Sequence, residues 1–189
     1  MPTILTHPAV LFYLRPAAGE LPPFIYLVGA ACSIFPDMDV LGFGWGIRYG
    51  DLLGHRGFSH SLFFAVVLSL GVTAYLAAKN LRYRTIRSKI FLVLFICTAS
   101  HGVLDALTDG GLGVAFFSPF SNARYFFPWR PISVSPIGIV DFLYGEGLSA
   151  MKSEIVFIWL PGAIVFITGS LFHKLRRTQS QKPVALTDD

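Results

Sequence analysis

Apolar positions along the chain form three stretches long enough to cross a bilayer, which takes about 20 residues at about 1.5 Å of helix rise each. Ser61 to Ala78 contains no charge. The second stretch begins after Lys89 as IFLVLFICTAS and continues through His101 to about Leu107, so its far end carries ionisable groups. The third, Ile155 to Phe172, holds Pro161-Gly162 at mid-span, where a kink is expected. Nearer the N-terminus the runs are shorter. Pro8 to Leu14 and Leu21 to Phe35 are separated by Pro16 and Gly19, which predicts a short helix, a turn and a second helix, forming either one irregular span or a re-entrant hairpin. A secretory signal peptide is not expected, because no Lys or Arg precedes the first apolar stretch and Arg15 follows it. The predicted fold is all-α: an integral membrane helical bundle with about four transmembrane helices. It forms one domain over residues 1–177, followed by a short cytoplasmic tail, 178–189.

Composition narrows the class. Of 189 residues 53% are apolar and only 14% charged, against about a quarter charged in ordinary soluble domains, and mean hydropathy is +0.60. So little charge cannot solvate a disordered coil. No basic face interleaved with aromatics is present, so nucleic acid is not an expected partner. Cys32 and Cys97 lie within apolar runs, which argues against a disulfide framework. The cations cluster: Lys79, Arg82, Arg84, Arg87 and Lys89 between two spans, and Lys174, Arg176, Arg177 and Lys182 after the last, make nine of the 15 Lys and Arg. The positive-inside rule places both the 79–89 loop and the C-terminus in the cytoplasm. Asp37, Asp39, Asp51, Asp105, Asp109, Asp141, Glu146 and Glu154 then fall toward the outer face.

Three groups of residues point to chemistry. His101, Asp105 and Asp109 follow at intervals of four, so on a helix they lie within about 80° of one another. His101 would sit roughly 18 Å and Asp105 roughly 24 Å into a core of roughly 30 Å. An ionised carboxylate facing lipid at that depth costs a few kcal/mol, so these groups should face partners inside the bundle. Gly54-His55-Arg56-Gly57-Phe58-Ser59-His60-Ser61 reads as a loop entering a helix, with Ser59 as cap and Gly57 permitting a tight turn. Both imidazoles can then converge on one point, with Arg56 available for an anion. Phe35-Pro36-Asp37-Met38-Asp39 offers two carboxylates, one to ligate a metal and one to bridge or to orient a histidine. Each group also has a plainer reading, as a helix-joining His-Asp hydrogen bond, a capping loop or a turn. Their shared location at one end of the bundle favours a metal site. Nitrogen and oxygen donors without thiolates suit zinc foremost, then manganese or iron, and two ions fit the number of candidate ligands.

These same residues carry a family resemblance. Thr6-His7, Pro36-Asp37-Met38-Asp39, His55-Arg56-Gly57-Phe58-Ser59-His60-Ser61, His101-x3-Asp105, Phe127-Pro128-Trp129-Arg130-Pro131-Ile132 and Ser135-Pro136 together resemble a bacterial family of membrane-bound metal-dependent hydrolases that includes a LexA-regulated inner-membrane protein. The match runs in order over about residues 6 to 140, with Ser59 where many members have Thr. The resemblance implies that His7, Asp37, one or both of His55 and His60, His101 and Asp105 are ligands. For His7 that requires the re-entrant hairpin, since a single outward span would leave it on the opposite side. A fainter similarity, to zinc-dependent phospholipase C and related nucleases, hints at phosphoester chemistry.

The connector from Gly110 to Ser153 carries Phe116, Phe117, Phe120, Tyr125, Phe126, Phe127 and Trp129, which suit the headgroup interface as anchor or as substrate lid. Arg124 and Arg130 within it could grip phosphate. The expected function is a hydrolase with a water activated by a divalent ion, Asp39 or Asp109 as general base, and Arg56 or Arg130 stabilising developing negative charge. Its expected partner is a membrane lipid or lipid-linked substrate; no protein partner is indicated. A transport protein lined by the same His and Asp, and an interaction protein with a structural metal, are the competing functions.

Overall fold

The computed structural model describes residues 1–136 and 139–180, and among them every regular element is helical. A one-turn 3₁₀ helix, His7–Ala9, leads into α1 (Val10–Ala18), which ends at Gly19, whose positive φ of 62° turns the chain back into α2 (Pro23–Ile34). Pro23 occupies the first helical position, where a missing N–H costs nothing. The N-terminal hairpin therefore forms, and it returns His7 to the same end of the molecule as Asp37. A 3₁₀ helix, Phe35–Trp45, continues α2. Its 11 residues extend this span to 23, Pro23–Trp45. Three further helices are long and apolar enough to cross a membrane: α3 (Leu62–Lys79), α5 (Arg87–Ala106) and the composite helix within Gly147–Arg176. The chain is thus a four-span helical membrane bundle.

Caps and breakers set the boundaries. Ser61, rather than Ser59, caps α3, its hydroxyl accepting the Phe64 N–H at 3.0 Å. Asn80 closes α3 and caps the short α4 (Leu81–Thr85) by accepting the Arg82 N–H at 2.9 Å. The last span comprises α7 (Gly147–Glu154), one π turn (Ile155–Trp159) and α8 (Leu160–Ser180), preceded by the six-residue α6 (Ile139–Tyr144). Just before Pro161, where a kink is expected, one π turn re-registers the ladder, with Leu160 N–H pairing to the Ile155 carbonyl. Tyr13 of α1 donates to the Ile158 carbonyl at 2.6 Å. Most of the 178–189 tail lies outside the described residues.

Packing follows from the same pattern. Ile25, Ile90, Val93, Leu94, Cys97 and Leu76 bury between α2, α3 and α5. The α8 helix lies against α1 through small residues: a Cβ at Gly162 would come to 2.8 Å from Tyr13, and one at Gly169 to 2.5 Å from Pro16. Leu70, Tyr75, Leu92 and Ile164 are exposed on the outside, as a lipid-facing surface requires. The connector after α5 folds back over the loop that precedes α3: Val114 and Tyr125 exchange backbone hydrogen bonds at 2.9 and 3.0 Å, and Ala115 N–H reaches the Arg56 carbonyl at 3.0 Å. Phe120 and Trp129 project from it, exposed. The cations of the 79–89 turn and the Asp37–His101 region lie at opposite ends. The turn between α3 and α5 occupies one end of the bundle, and the ends bearing Asp37 and His101 each lie 14 residues away, roughly 21 Å along α2 and α5.

Candidate metal centre

Three elements supply the candidate ligands at that far end. Asp37 and Asp39 stand two residues apart on a 3₁₀ helix, hence about 120° apart around its axis. His60 ends the one-turn 3₁₀ helix Phe58–His60, between the two carboxylates. His101 and Asp105 share a face of α5. Gly102, between them, has room for no side chain, since a Cβ would meet the His60 carbonyl oxygen at 2.8 Å. That close approach lets the loop bring His60 onto α5.

The hydrogen-bond pattern decides which nitrogens face inward. Asp39 takes the Nδ1 edge of His60 at 3.1 Å and of His55 at 2.8 Å, and accepts from the Ser59 hydroxyl at 2.6 Å. His101 Nδ1 lies 2.7 Å from the Ser33 carbonyl, which can only accept, so that nitrogen carries the proton. Both arrangements leave Nε2 as the free lone pair, the outer-partner geometry typical of metal-bound histidine. His60 Nε2 and His101 Nε2 then face each other at 3.0 Å. Asp37 Oδ1 lies 3.6 and 3.2 Å from them, and Asp105 Oδ2 3.2 and 3.8 Å.

Two lone pairs and two carboxylates pointed at one another, all buried, repel unless a cation lies among them. Neither carboxylate of Asp37 or Asp105 has a hydrogen-bond partner. The four donor atoms lie within 4.8 Å of one another. A tetrahedral site with metal–ligand bonds of about 2.0–2.1 Å has neighbouring ligands about 3.3–3.4 Å apart, close to the five spacings above. The donor set therefore fits a divalent ion. In its absence a proton takes that role: burial opposes charging His60, but Asp105, Asp37 and Asp39 outweigh it and hold the imidazole pKa well above its usual value. An entering metal must displace that proton, so its binding at pH 7 is expected to release about one proton. Titration calorimetry in two buffers of different ionisation enthalpy should show enthalpies differing accordingly; equal enthalpies would contradict it.

The remaining predicted residues divide. His7 stacks on His101 with centroids 3.6 Å apart and its Nε2 3.8 Å from Asp37 Oδ2. Neither of its nitrogens is hydrogen-bonded, and burial together with His101 lowers its pKa to about 3, so it is neutral. His55 joins a second group with Asp39 and His60, not the Asp37 group. Arg56, not Gly57, adopts the left-handed conformation, with φ 61°. Its nitrogens are engaged: Nη1 donates to the Gly110 carbonyl at 2.8 Å, Nη2 to Thr108 Oγ1 at 2.9 Å, and Nε lies 3.4 Å from Asp105 Oδ2. It stands behind Asp105 as a counter-charge rather than offering a fork to an anion. Asp109 leaves the His101–Asp105 face because α5 ends at Ala106; exposed, it accepts the Val134 N–H at 2.8 Å. Arg130 is exposed over the Phe126 ring, outside the cluster. Arg124 is spent on carbonyls, donating to His55 at 3.0 Å and Tyr49 at 3.2 Å.

A family model described as "YdjM inner membrane protein" matches residues 1–177. The chain belongs to the YdjM inner membrane protein family. It is 37% identical over 178 residues to "Inner membrane protein YbcI" of Escherichia coli (strain K12), an alignment covering 93% of this chain and 100% of that relative. No solved structure matches. The membrane-bound bacterial character of the sequence resemblance thus stands, and a multi-pass inner-membrane protein fits the four spans; neither description speaks of hydrolysis.

One buried group of this YdjM-family protein escapes sequence reasoning. Glu154, the last residue of α7, accepts from Thr3 N–H at 2.5 Å, Thr3 Oγ1 at 2.6 Å and Thr6 Oγ1 at 2.6 Å, while Trp159 Nε1 donates to Thr6 Oγ1 at 2.9 Å. These bonds hold the segment before His7 against α7. Nothing in the sequence marked a lone Glu as their acceptor; the signal available was an acid bordering an apolar run, with Trp five residues on. Glu154→Ala strands three buried donors, and is expected to release residues 1–6 and expose them to limited proteolysis while the helices persist. Unchanged cleavage would remove that role.

Proposed function

We propose that this protein is a membrane-bound metal-dependent hydrolase acting on an amphiphilic or lipid-linked phosphoester, its site at the outer face of the inner membrane and its 79–89 loop in the cytoplasm. One observation carries the proposal: buried Asp37, His60, His101 and Asp105 aim unshared electron pairs at a common point, with carboxylates that have no hydrogen-bond partner. Zinc suits these donors best, followed by manganese or iron. When bound, such an ion supplies Lewis acidity and a water that ionises near neutral pH.

The protein's own groups have distinct tasks. Asp39 fixes the His60 tautomer, and with both oxygens occupied it serves as an orienting carboxylate rather than as the general base. Arg56 supplies the counter-charge beside buried Asp105. Asp37 Oδ2 turns toward neutral His7 and has no hydrogen bond. The exposed aromatics of the connector, Phe120 and Trp129, suit contact with an amphiphile.

A second function is favoured by one specific feature, the near-complete burial of all four ligands, which is how closed structural sites look. The two are separated by assaying phosphate or headgroup release from a panel of lipid phosphoesters with stoichiometrically loaded protein, beside His101→Ala. Turnover by wild type that vanishes in the variant is expected. Full metal content without turnover on any substrate, combined with an ion that chelator cannot exchange in the folded protein, would favour the structural role.

A further inference from the structure

Beside the α1–α2 hairpin, two cavities of about 400 and 760 Å³ share Arg15, Leu21, Pro23, Tyr26 and Phe166 in their walls. Sharing walls makes them one groove, between the α1–α2 hairpin and α8. Its two ends differ in chemistry. The smaller is mostly apolar, passing Leu11 and Phe12 and closed by Trp159 and by Pro8, the neighbour of His7. The larger is polar, and brings Arg82 from α4 together with Ser170, His173 and Lys174 of α8 and Glu20 of the hairpin turn. Arg15 stands at the junction, its guanidinium 5.5 Å from the Tyr26 ring centroid and 5.7 Å from that of Phe166.

We infer that this groove binds one anionic phospholipid, its acyl chain in the apolar slot and its phosphate between Arg15 and Arg82. The match is one of charge and polarity along a single channel. A basic pocket between membrane helices beside a slot of acyl character is the arrangement by which anionic headgroups are recognised. Arg15 is held against two aromatic rings, and a guanidinium binds phosphate oxygens in pairs. Both volumes lie within the range of about 300–1,000 Å³ that small-molecule sites occupy. The phosphate end is remote from the metal centre, Pro23 lying 14 residues, roughly 21 Å, along the span from Asp37, whereas the acyl slot runs up to Pro8, next to His7. The lipid is a resident ligand, and its retention is measured without reference to hydrolysis.

Native mass spectrometry and thermal unfolding of the detergent-purified full chain, with added dioleoylphosphatidylglycerol or dioleoylphosphatidylcholine, test the inference. Wild type is expected to retain one phosphatidylglycerol at least tenfold more tightly than phosphatidylcholine, and to melt at a higher temperature with the former alone. Arg15→Gln/Arg82→Gln should lose the preference. Arg84→Gln, which removes an exposed cation from the same α4 outside the groove, should keep it. Equal retention and equal stabilisation of wild type by the two lipids would overturn the inference without any variant. So would a preference that survives the double substitution, or one that Arg84→Gln abolishes equally, since either marks a diffuse surface charge. Inorganic phosphate at equal concentration should not displace the lipid; if it does, the headgroup alone is bound and the acyl slot is not part of the site.

Discussion

His101→Ala should lower affinity for a divalent ion by at least about a hundredfold. Outer partners of metal sites are themselves worth about 10–100-fold, and His101 contributes an inward lone pair that contacts His60 Nε2 and approaches both carboxylates. It also removes the ring on which His7 stacks. Chelator competition would measure the affinity directly. Unfolding provides a second readout, since free ion at 100 times the Kd stabilises a folded protein by about 2.7 kcal/mol. Wild type should gain about that amount from the ion and His101→Ala almost none, with both proteins still monodisperse. Equal stabilisation of the two would show that the ion binds elsewhere.

Arg56→Ala should be the most damaging substitution for folding. The side chain is fully buried, compensates Asp105, and satisfies the Gly110 carbonyl and Thr108. Removing one partner of a buried ion pair costs about 3–5 kcal/mol, a large part of the roughly 5–15 kcal/mol that holds a domain together. Gly111, with φ 88°, leaves the guanidinium just enough space, a Cβ there falling 2.7 Å from Nη1. The fork is therefore fitted to its surroundings. Arg56→Lys keeps the charge but can meet fewer of these acceptors. We expect Arg56→Ala to be lost to aggregation on extraction and Arg56→Lys to be recovered with a lowered melting temperature. Recovery of the alanine variant at wild-type stability would show that Asp105 is neutralised by other means.

The spans were legible because hydrophobic runs of this length have few alternatives in a bilayer, and their ends lie within a few residues of Leu62–Lys79 and Arg87–Ala106. The i, i+4 spacing of His101 and Asp105 placed them on one face, since both lie inside α5. Asp109 failed for the corresponding reason. The helix ends before it, and the Thr108 hydroxyl bonds back to the Asp105 carbonyl at 2.7 Å. Which histidine of His55 and His60 enters the Asp37 group depended on a tertiary contact, the approach of the loop to α5 at Gly102, and no local pattern encodes it. The same holds for Arg56, whose partners Thr108 and Gly110 lie more than 50 residues along the chain. Glu154 was grouped with the outer acids on charge alone; its threonine partners lie some 150 residues away.

The most direct test of the central claim is metal content by elemental mass spectrometry on detergent-purified wild type beside His60→Ala and His101→Ala. Wild type should carry about one zinc, manganese or iron ion per chain in the Asp37–His60–His101–Asp105 set, with both variants near zero. Wild type and variants equally free of metal, even after reconstitution with these ions, would contradict it and leave the buried His-Asp contacts as helix-joining interactions.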